Sequence, residues 1–277
     1  MVAGFGADSD SGLGDPAEQP ALPSRVEIIP TAGIVESVVA QLPAGTTVTV
    51  TCLPNHGIER TVAASLELAG LGYNVVPHLA ARSIGSREQL ASILRDCRAA
   101  GIAEVFAIGG DKAQAAGPFD SSDVLVRDVA ELGSGNFRIG VAGYPEGHPN
   151  ISDQQLLDSL RAKADVADRI VTQMCFSAEL IGTYAAMLRS EGITIPVWAG
   201  VAGLVPRTKL ISLATKIGVG SSLRFISGKG ALGMRLMGGT RYNPDGLVAE
   251  LTALPTPPAG IHLYSFNNVG SHAPVPA

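Results

Sequence analysis

Three places in this chain carry residue types able to move or steer a proton. Glu27 lies inside the apolar run Val26-Glu27-Ile28-Ile29. A carboxyl among aliphatic side chains loses hydration, its pKa rises, and it can donate a proton near neutral pH. Tyr144-Pro145-Glu146-Gly147-His148-Pro149 follows directly on the apolar run 138–143. Its prolines fix φ and push the residues before them toward extended geometry, so helix is excluded across the turn. A rigid turn carrying Tyr, Glu and His past a strand's end is where α/β barrels assemble their chemistry. Gln173 lies in the β-branched run 169–175. Its amide must find partners if buried, and it can donate and accept along one edge of a heterocycle.

These side chains need elements to hold them. Short, mostly uncharged runs predict strands over 26–30, 46–52, 74–79, 104–109, 138–144, 169–175, 196–202 and 261–266. Longer patterns between them predict helices over 34–41, 58–71, 86–100, 122–132, 152–166, 178–190, 207–217 and 245–251. This alternation predicts an α/β fold, a single closed (β/α)8 barrel of the TIM type over residues 25–277. An open doubly wound sheet is the structural runner-up. Too few residues follow the last strand for a full eighth helix. The stretch 218–240 exceeds an ordinary barrel connection and contains Gly228-Lys-Gly-Ala-Leu-Gly233. That run matches G-x-G-x-x-G without the strand–turn–helix context the pattern requires, so a glycine-rich loop is expected.

The bulk properties set limits. A chain of 277 residues with 46% hydrophobic and 16% charged residues can bury a large core. Cys52, Cys97 and Cys175 are an odd number without metal-ligand spacing, which predicts no disulfide framework, no metal site and a reducing compartment. No apolar run approaches the roughly 20 residues of a membrane span. Residues 1–24, rich in Gly, Asp, Ala and Pro, read as a disordered acidic arm rather than a secretory signal. A soluble cytoplasmic protein is expected. The net charge of −5 hides a segment from Gly192 to Pro244 without Asp or Glu. It carries Arg207, Lys209, Lys216, Arg224, Lys229, Arg235 and Arg241, leaving 13 basic against 25 acidic residues elsewhere. Such a local excess suits a small anionic ligand, whereas the rest of the chain would repel nucleic acid.

In a barrel, the strand C-terminal ends converge on one mouth. Glu27 would come from the first strand, Thr51 from the second and His78 from the third. Gly109, Gly110 and Asp111 would follow the fourth, and Tyr144 and His148 the fifth. Gln173 lies on the sixth and Tyr264 on the eighth.

The order of segments resembles the methylenetetrahydrofolate reductase family over roughly residues 25–268. Val26-Glu27-Ile-Ile-Pro30 resembles its opening strand with the proton-donating Glu, Val50-Thr51 its second strand and Pro77-His78-Leu79 its third. Ala107-Ile-Gly-Gly-Asp111 resembles A-L-R-G-D, and Tyr144–Pro149 resembles Y-P-E-x-H-P. Leu160-Arg-Ala-Lys163-Ala-Asp165 and Ile170-Val-Thr-Gln173 resemble L-K-R-K-x-D and I-T-Q. His262-Leu-Tyr264-Ser-Phe-Asn267 resembles the closing H-F-Y-T-L-N.

The resemblance implies reduction of 5,10-methylenetetrahydrofolate to 5-methyltetrahydrofolate, with Glu27 as general acid. Asp111 and Gln173 would bind the pterin, and Tyr264 would pack near the reacting rings. Thr51, His78, Gly109, Gly110, Tyr144 and His148 map to cofactor-contacting positions. Three departures bear on the cofactor: Gly109 replaces the Arg of R-G-D, Ala162 the second basic residue of K-R-K, and Asn268 the Arg that usually follows the last strand. The first two positions help hold FAD in the flavin-containing members. The chain therefore resembles divergent, flavin-independent members that take hydride directly from NADH, with no tightly bound FAD. An FAD-dependent reductase, a non-catalytic folate- or nucleotide-binding barrel and a folate-dependent methyltransferase are the competing expectations. The partners implied are the folate and a nicotinamide dinucleotide, and a homo-oligomer is left open.

Overall fold

Eight parallel strands close into a barrel in a computed structural model that describes residues 21–206, Leu210 and residues 241–271. The barrel strands are β1 (Ser24–Ile28), β2 (Thr47–Val50), β3 (Asn74–Ala80), β4 (Glu104–Ile108), β5 (Arg138–Gly143), β6 (Arg169–Met174), β7 (Val197–Ala202) and β10 (Gly260–Tyr264). Closure is made by β10, which lies between β7 and β1 and pairs Arg25 with His262 and Glu27 with Tyr264. That pairing overturns the open-sheet runner-up, since an open sheet leaves its first and last strands unpaired. A separate antiparallel pair is formed by β8 (Val205–Pro206) and β9 (Arg241–Tyr242).

The helices on the outside are α1 (Ile34–Gln41), α2 (Gly57–Gly70), α3 (Arg87–Ala99), α4 (Ser122–Gly133), α5 (Asp153–Lys163), α6 (Ala178–Ser190) and α7 (Asp245–Thr252). Local chemistry sets several starts. The Ser86 hydroxyl accepts from Gln89 N, Ser177 from Leu180 N, and Ser152 with Gln155 forms a reciprocal capping box. α5 ends at Lys163, short of the predicted 166, because the Val166 and Ala167 amides turn back onto the Lys163 carbonyl. β1 ends at Ile28 rather than residue 30, because the Ile29 amide leaves the sheet to donate to Asn267 Oδ1.

Alternation divides each strand between two cores. Val26, Ile28, Val48 and Val50 face outward and pack with Ile34, Val38, Ile58 and Leu68 from the helices. Val76, Phe106, Val171 and Trp198 fill the barrel interior. A β-bulge over Val171–Met174 shifts the β6–β7 register, and the Thr172 hydroxyl accepts from Gly200 N there. Only glycine fits at position 200, where a Cβ would lie 2.3 Å from the Thr172 carbonyl oxygen.

After β10 a short 3-10 turn covers Val269–Ser271. Of the expected acidic arm 1–24, residues 1–20 lie outside the described residues, and its last residue, Ser24, already opens β1. The predicted helix 207–217 apart from Leu210, the glycine-rich run 228–233 and six of the seven basic residues, from Arg207 to Arg235, also lie outside them. No described helix is long and apolar enough to cross a membrane.

Candidate active site

The barrel interior is built in layers, and its lower layer is ionic. Arg25 of β1 meets Glu104 of β4 at 2.7 Å, and Arg169 of β6 approaches the same carboxyl at 3.1 Å. Trp198 fills the space beside them, with the Arg25 guanidinium 3.9 Å from its ring centroid. Two residues further along β1, on the same inward face, stands Glu27.

Glu27 is surrounded by imidazoles. His262 Nε2 lies 3.0 Å from Glu27 Oε2, and His78 Nε2 lies 3.7 Å from the same oxygen. The His78 ring packs on Phe106 at 4.7 Å, and the His262 ring meets Tyr264 edge-on at 4.9 Å. Tyr264 spends its hydroxyl proton on the Thr172 carbonyl at 2.9 Å. The end of β10 also clasps β1. The Ser265 hydroxyl donates to the Glu27 carbonyl, and Asn267 bonds Ile29 through both its amide atoms.

This environment decides the charges. Burial pushes the Glu27 carboxyl up to about 7, with His78 opposing the shift. Burial lowers His78 to about 4, and Glu27 opposes that shift while His262 and Arg25 add to it. His262 falls to about 3, through burial first and the Arg25 charge second. At neutral pH, then, the site holds a carboxyl near its midpoint between two neutral imidazoles. Such a carboxyl can give up and regain a proton within the operating range of an enzyme. The sequence-based expectation of a raised carboxyl holds, but through different neighbours. Val26 and Ile28 face the helices, and the closed barrel is what dries Glu27.

Of the other predicted residues, Thr51 directly follows β2, with its amide donating to the Ile28 carbonyl of β1. Its hydroxyl, the Thr49 hydroxyl and the Gln173 amide nitrogen are buried without a protein partner. Orphaned polar atoms converging on one end of a barrel are what a polar ligand would satisfy. Gly109 and Gly110 sit in the loop after β4, where the Arg82 amide donates to the Gly109 carbonyl and the Arg82 guanidinium grips the Lys112 and Asp120 carbonyls. Asp111 is exposed in that loop. Its charge, after burial, raises the Tyr144 hydroxyl across the mouth. Tyr144 and His148 stack edge-on at 5.4 Å, and the turn closes through Gly147 N on the Tyr144 carbonyl. These residues form a rim that reaches the Glu27 cluster through Tyr264, whose hydroxyl is raised by burial and then by the Glu27 and Tyr144 charges. A cavity of about 560 Å³ lies outside the barrel, between α5 and α6, and shares Tyr144 with the mouth.

His262, Thr49, Arg25, Glu104, Ser265 and Asn267 carry no assigned role in the sequence analysis. The signal for His262 is its i, i+2 spacing to Tyr264, which puts both on the inward face of β10. The His262–Glu27 separation is a hydrogen bond, and no cluster able to hold a metal ion occurs among the described residues.

Fold and site together define a closed (β/α)8 barrel with a buried carboxyl, raised to about 7, near the C-terminal ends of its strands. The methylenetetrahydrofolate reductase family model matches residues 35–219, and the chain belongs to that family. It is 32% identical over 168 residues to the 5,10-methylenetetrahydrofolate reductase of Pectobacterium carotovorum subsp. carotovorum, covering 59% of this chain and 53% of that protein. It is 32% identical over 136 residues to the Escherichia coli K12 protein of the same name, covering 47% of this chain and 44% of that one. Methylenetetrahydrofolate reductase (NADH) 1 of Arabidopsis thaliana is 30% identical over 164 residues, covering 51% of this chain and 28% of that one. The matches thus span about half the length of the bacterial relatives and less of the plant protein. Among solved structures, oxaloacetate acetylhydrolase in complex with oxalate superposes with TM-score 0.55 at 12% identity, over 89% of this chain and 76% of that one. That likeness shows the barrel fold alone.

Proposed function

We propose that the chain reduces 5,10-methylenetetrahydrofolate to 5-methyltetrahydrofolate, with NADH as the direct hydride donor and Glu27 as the general acid. The observation that carries this is Glu27 itself, held at the mouth of the barrel with its carboxyl raised to about 7. The methylene bridge resists hydride until its five-membered ring opens. The C–N bond to the departing nitrogen breaks, that nitrogen takes the Glu27 proton, and the carbon is left doubly bonded to N5 as an iminium. The dihydronicotinamide supplies the hydride that this carbon accepts, giving the methyl group. Glu27 then recovers its proton from solvent through the open mouth.

The orphaned Gln173 amide and exposed Asp111 bind the donor and acceptor edge of the pterin. Tyr264, fixed by Thr172, flanks the reacting rings, and the unpaired Thr51 hydroxyl, His78, Gly109, Gly110, Tyr144 and His148 line the nicotinamide side. The charged side chains of α5 support direct transfer over a flavin. Lys163 is occupied by Ser122, Ser159 and Asp123, and Arg161 by Asp158 and Glu191. With Gly109 and Ala162 uncharged, neither position offers a cation to a flavin's phosphates.

The test is NADH and NADPH oxidation by purified protein with 5,10-methylenetetrahydrofolate, its flavin content measured beforehand. Turnover by flavin-free protein, faster with NADH, is expected. Turnover only after adding FAD would return the chain to flavin chemistry, and folate binding without turnover would make it a binding barrel.

A further inference from the structure

Glu27 has two carboxyl oxygens, and the structure treats them unequally. Both imidazoles approach Oε2, His262 at hydrogen-bond distance and His78 just beyond it. Among the described residues no protein group bonds Oε1, although the Glu27 side chain keeps only 14% of its surface exposed. His262 is buried more deeply, at 2%, and its second ring nitrogen, Nδ1, has no partner. Register explains the geometry. His262 pairs with Arg25, one layer below Glu27, and reaches up along the inside of the barrel to the carboxyl. Tyr264 stands against its ring edge-on, with its own hydroxyl committed to Thr172.

We propose that His262 is a positioning residue whose Nε2–H donates to Glu27 Oε2, so that Oε1 alone carries the acid proton and delivers it into the mouth. This rests on the reading of Glu27 as the general acid. The tautomer follows from the orphaned Nδ1. A proton there would be a buried N–H with no acceptor, which native structures avoid more strictly than a buried lone pair without a donor. With the proton on Nε2, the same hydrogen bond serves both forms of Glu27. It is accepted by the carboxylate before protonation and by the carbonyl oxygen of the acid afterwards. In neither form does Oε2 turn toward the substrate. The acid is thereby aimed before substrate arrives, as efficient proton transfer requires.

The charged and titratable groups facing this pair are His78 from β3, Tyr264 from β10, Arg25 from β1 and Glu104 from β4. Glu104 is held by Arg25, so neither of those competes for Oε2.

The first experiment needs no turnover. Nitrogen-15 NMR of the histidine-labelled full chain, with His262 assigned by comparison with His262→Gln, should show neutral imidazole protonated at Nε2. Protonation at Nδ1, or a charged ring at neutral pH, would overturn the proposal. The second is the pH profile of kcat for His262→Leu and His262→Gln. Removing a donor to the carboxylate disfavours its ionised form, so the alkaline limb should move up by about one pH unit in the Leu variant. Its maximal rate should fall at least about tenfold, because the carboxyl is no longer aimed. Gln, which retains an N–H donor, should restore the limb and part of the rate. A uniform loss of rate with an unmoved limb would reduce His262 to packing and defeat the proposal. Should His262→Leu not fold, His262→Ala takes its place, with the Glu27 titration read by carbon-13 NMR. It should move up relative to wild type and return in His262→Gln, and an unmoved titration in the Ala variant would defeat the proposal. An Nε2–H tautomer in a protein without reductase turnover would sink the general-acid reading while leaving the Oε2 contact established.

Discussion

Glu104 meets Arg25 at 2.7 Å inside the barrel, with their side chains only 7% and 3% exposed, one layer beneath the carboxyl of Glu27. A single carboxylate there serves Arg25, Arg169 and, at 3.8 Å, Arg138. Removing it would leave a buried guanidinium uncompensated, so Glu104→Ala should cost about 3–5 kcal/mol of stability. Replacing Arg25 and Arg169 by Met together with Glu104 by Leu should cost much less, since apolar side chains of similar volume then leave no buried charge stranded. Urea unfolding of both variants tests this, and equal losses in the two would show that the ionic contact is not what matters.

Glu27→Gln keeps the shape and the hydrogen-bond acceptor for His262 but has no proton to give. Turnover should fall by about 10²–10⁴-fold, the usual contribution of a general acid. Folate affinity, read by fluorescence or calorimetric titration, should change little. Wild-type turnover in this variant would remove Glu27 from the chemistry.

The same carboxyl makes stability depend on pH. Its folded pKa of about 7 lies above the ordinary 4.5, so between those values the folded chain holds a proton the unfolded chain has released. Stability from this group is therefore complete below pH 4.5 and is lost as pH rises through 7. His78 and His262 act oppositely, because their lowered folded values of about 4 and about 3 let the unfolded chain bind protons first. Glu27→Gln removes the first contribution; it also takes away the charge that raises His78, a small effect above pH 4.5 because His78 already lies at about 4. The unfolding free energy of wild type minus that of the variant should decline by about 3 kcal/mol from pH 4.5 to pH 7. A flat difference in urea titrations across that window would mean Glu27 is ionised throughout.

Adjacent glycines after β4 should respond in opposite ways. Gly110 has φ +84°, and a Cβ there would lie 3.0 Å from the Ala80 Cβ, so Gly110→Ala should cost at least about 1–2 kcal/mol. Gly109 has an ordinary φ and open space where a Cβ would stand, and Ala162 is exposed. The double variant Gly109→Arg, Ala162→Arg should therefore unfold at nearly the wild-type temperature and still purify without flavin. Yellow protein from that variant would show that two charges alone separate this chain from flavin binding.

Much of the architecture was legible in the sequence because it is local. Uncharged β-branched runs and the helical patterns between them set elements whose observed bounds differ from expectation by only a few residues. Glu27 stood out because a carboxyl in an apolar strand is anomalous whatever surrounds it. Tertiary structure decided its partners. His262 lies 235 residues away, and only the β1–β10 pairing that closes the barrel brings its ring to Oε2. The Arg25–Glu104 pair spans 79 residues and joins non-adjacent strands across the interior, a contact no spacing along the chain encodes. Alternation told which residues share a strand face. Only closure and register told which faces meet, and so which carboxyl oxygen is held and which is free.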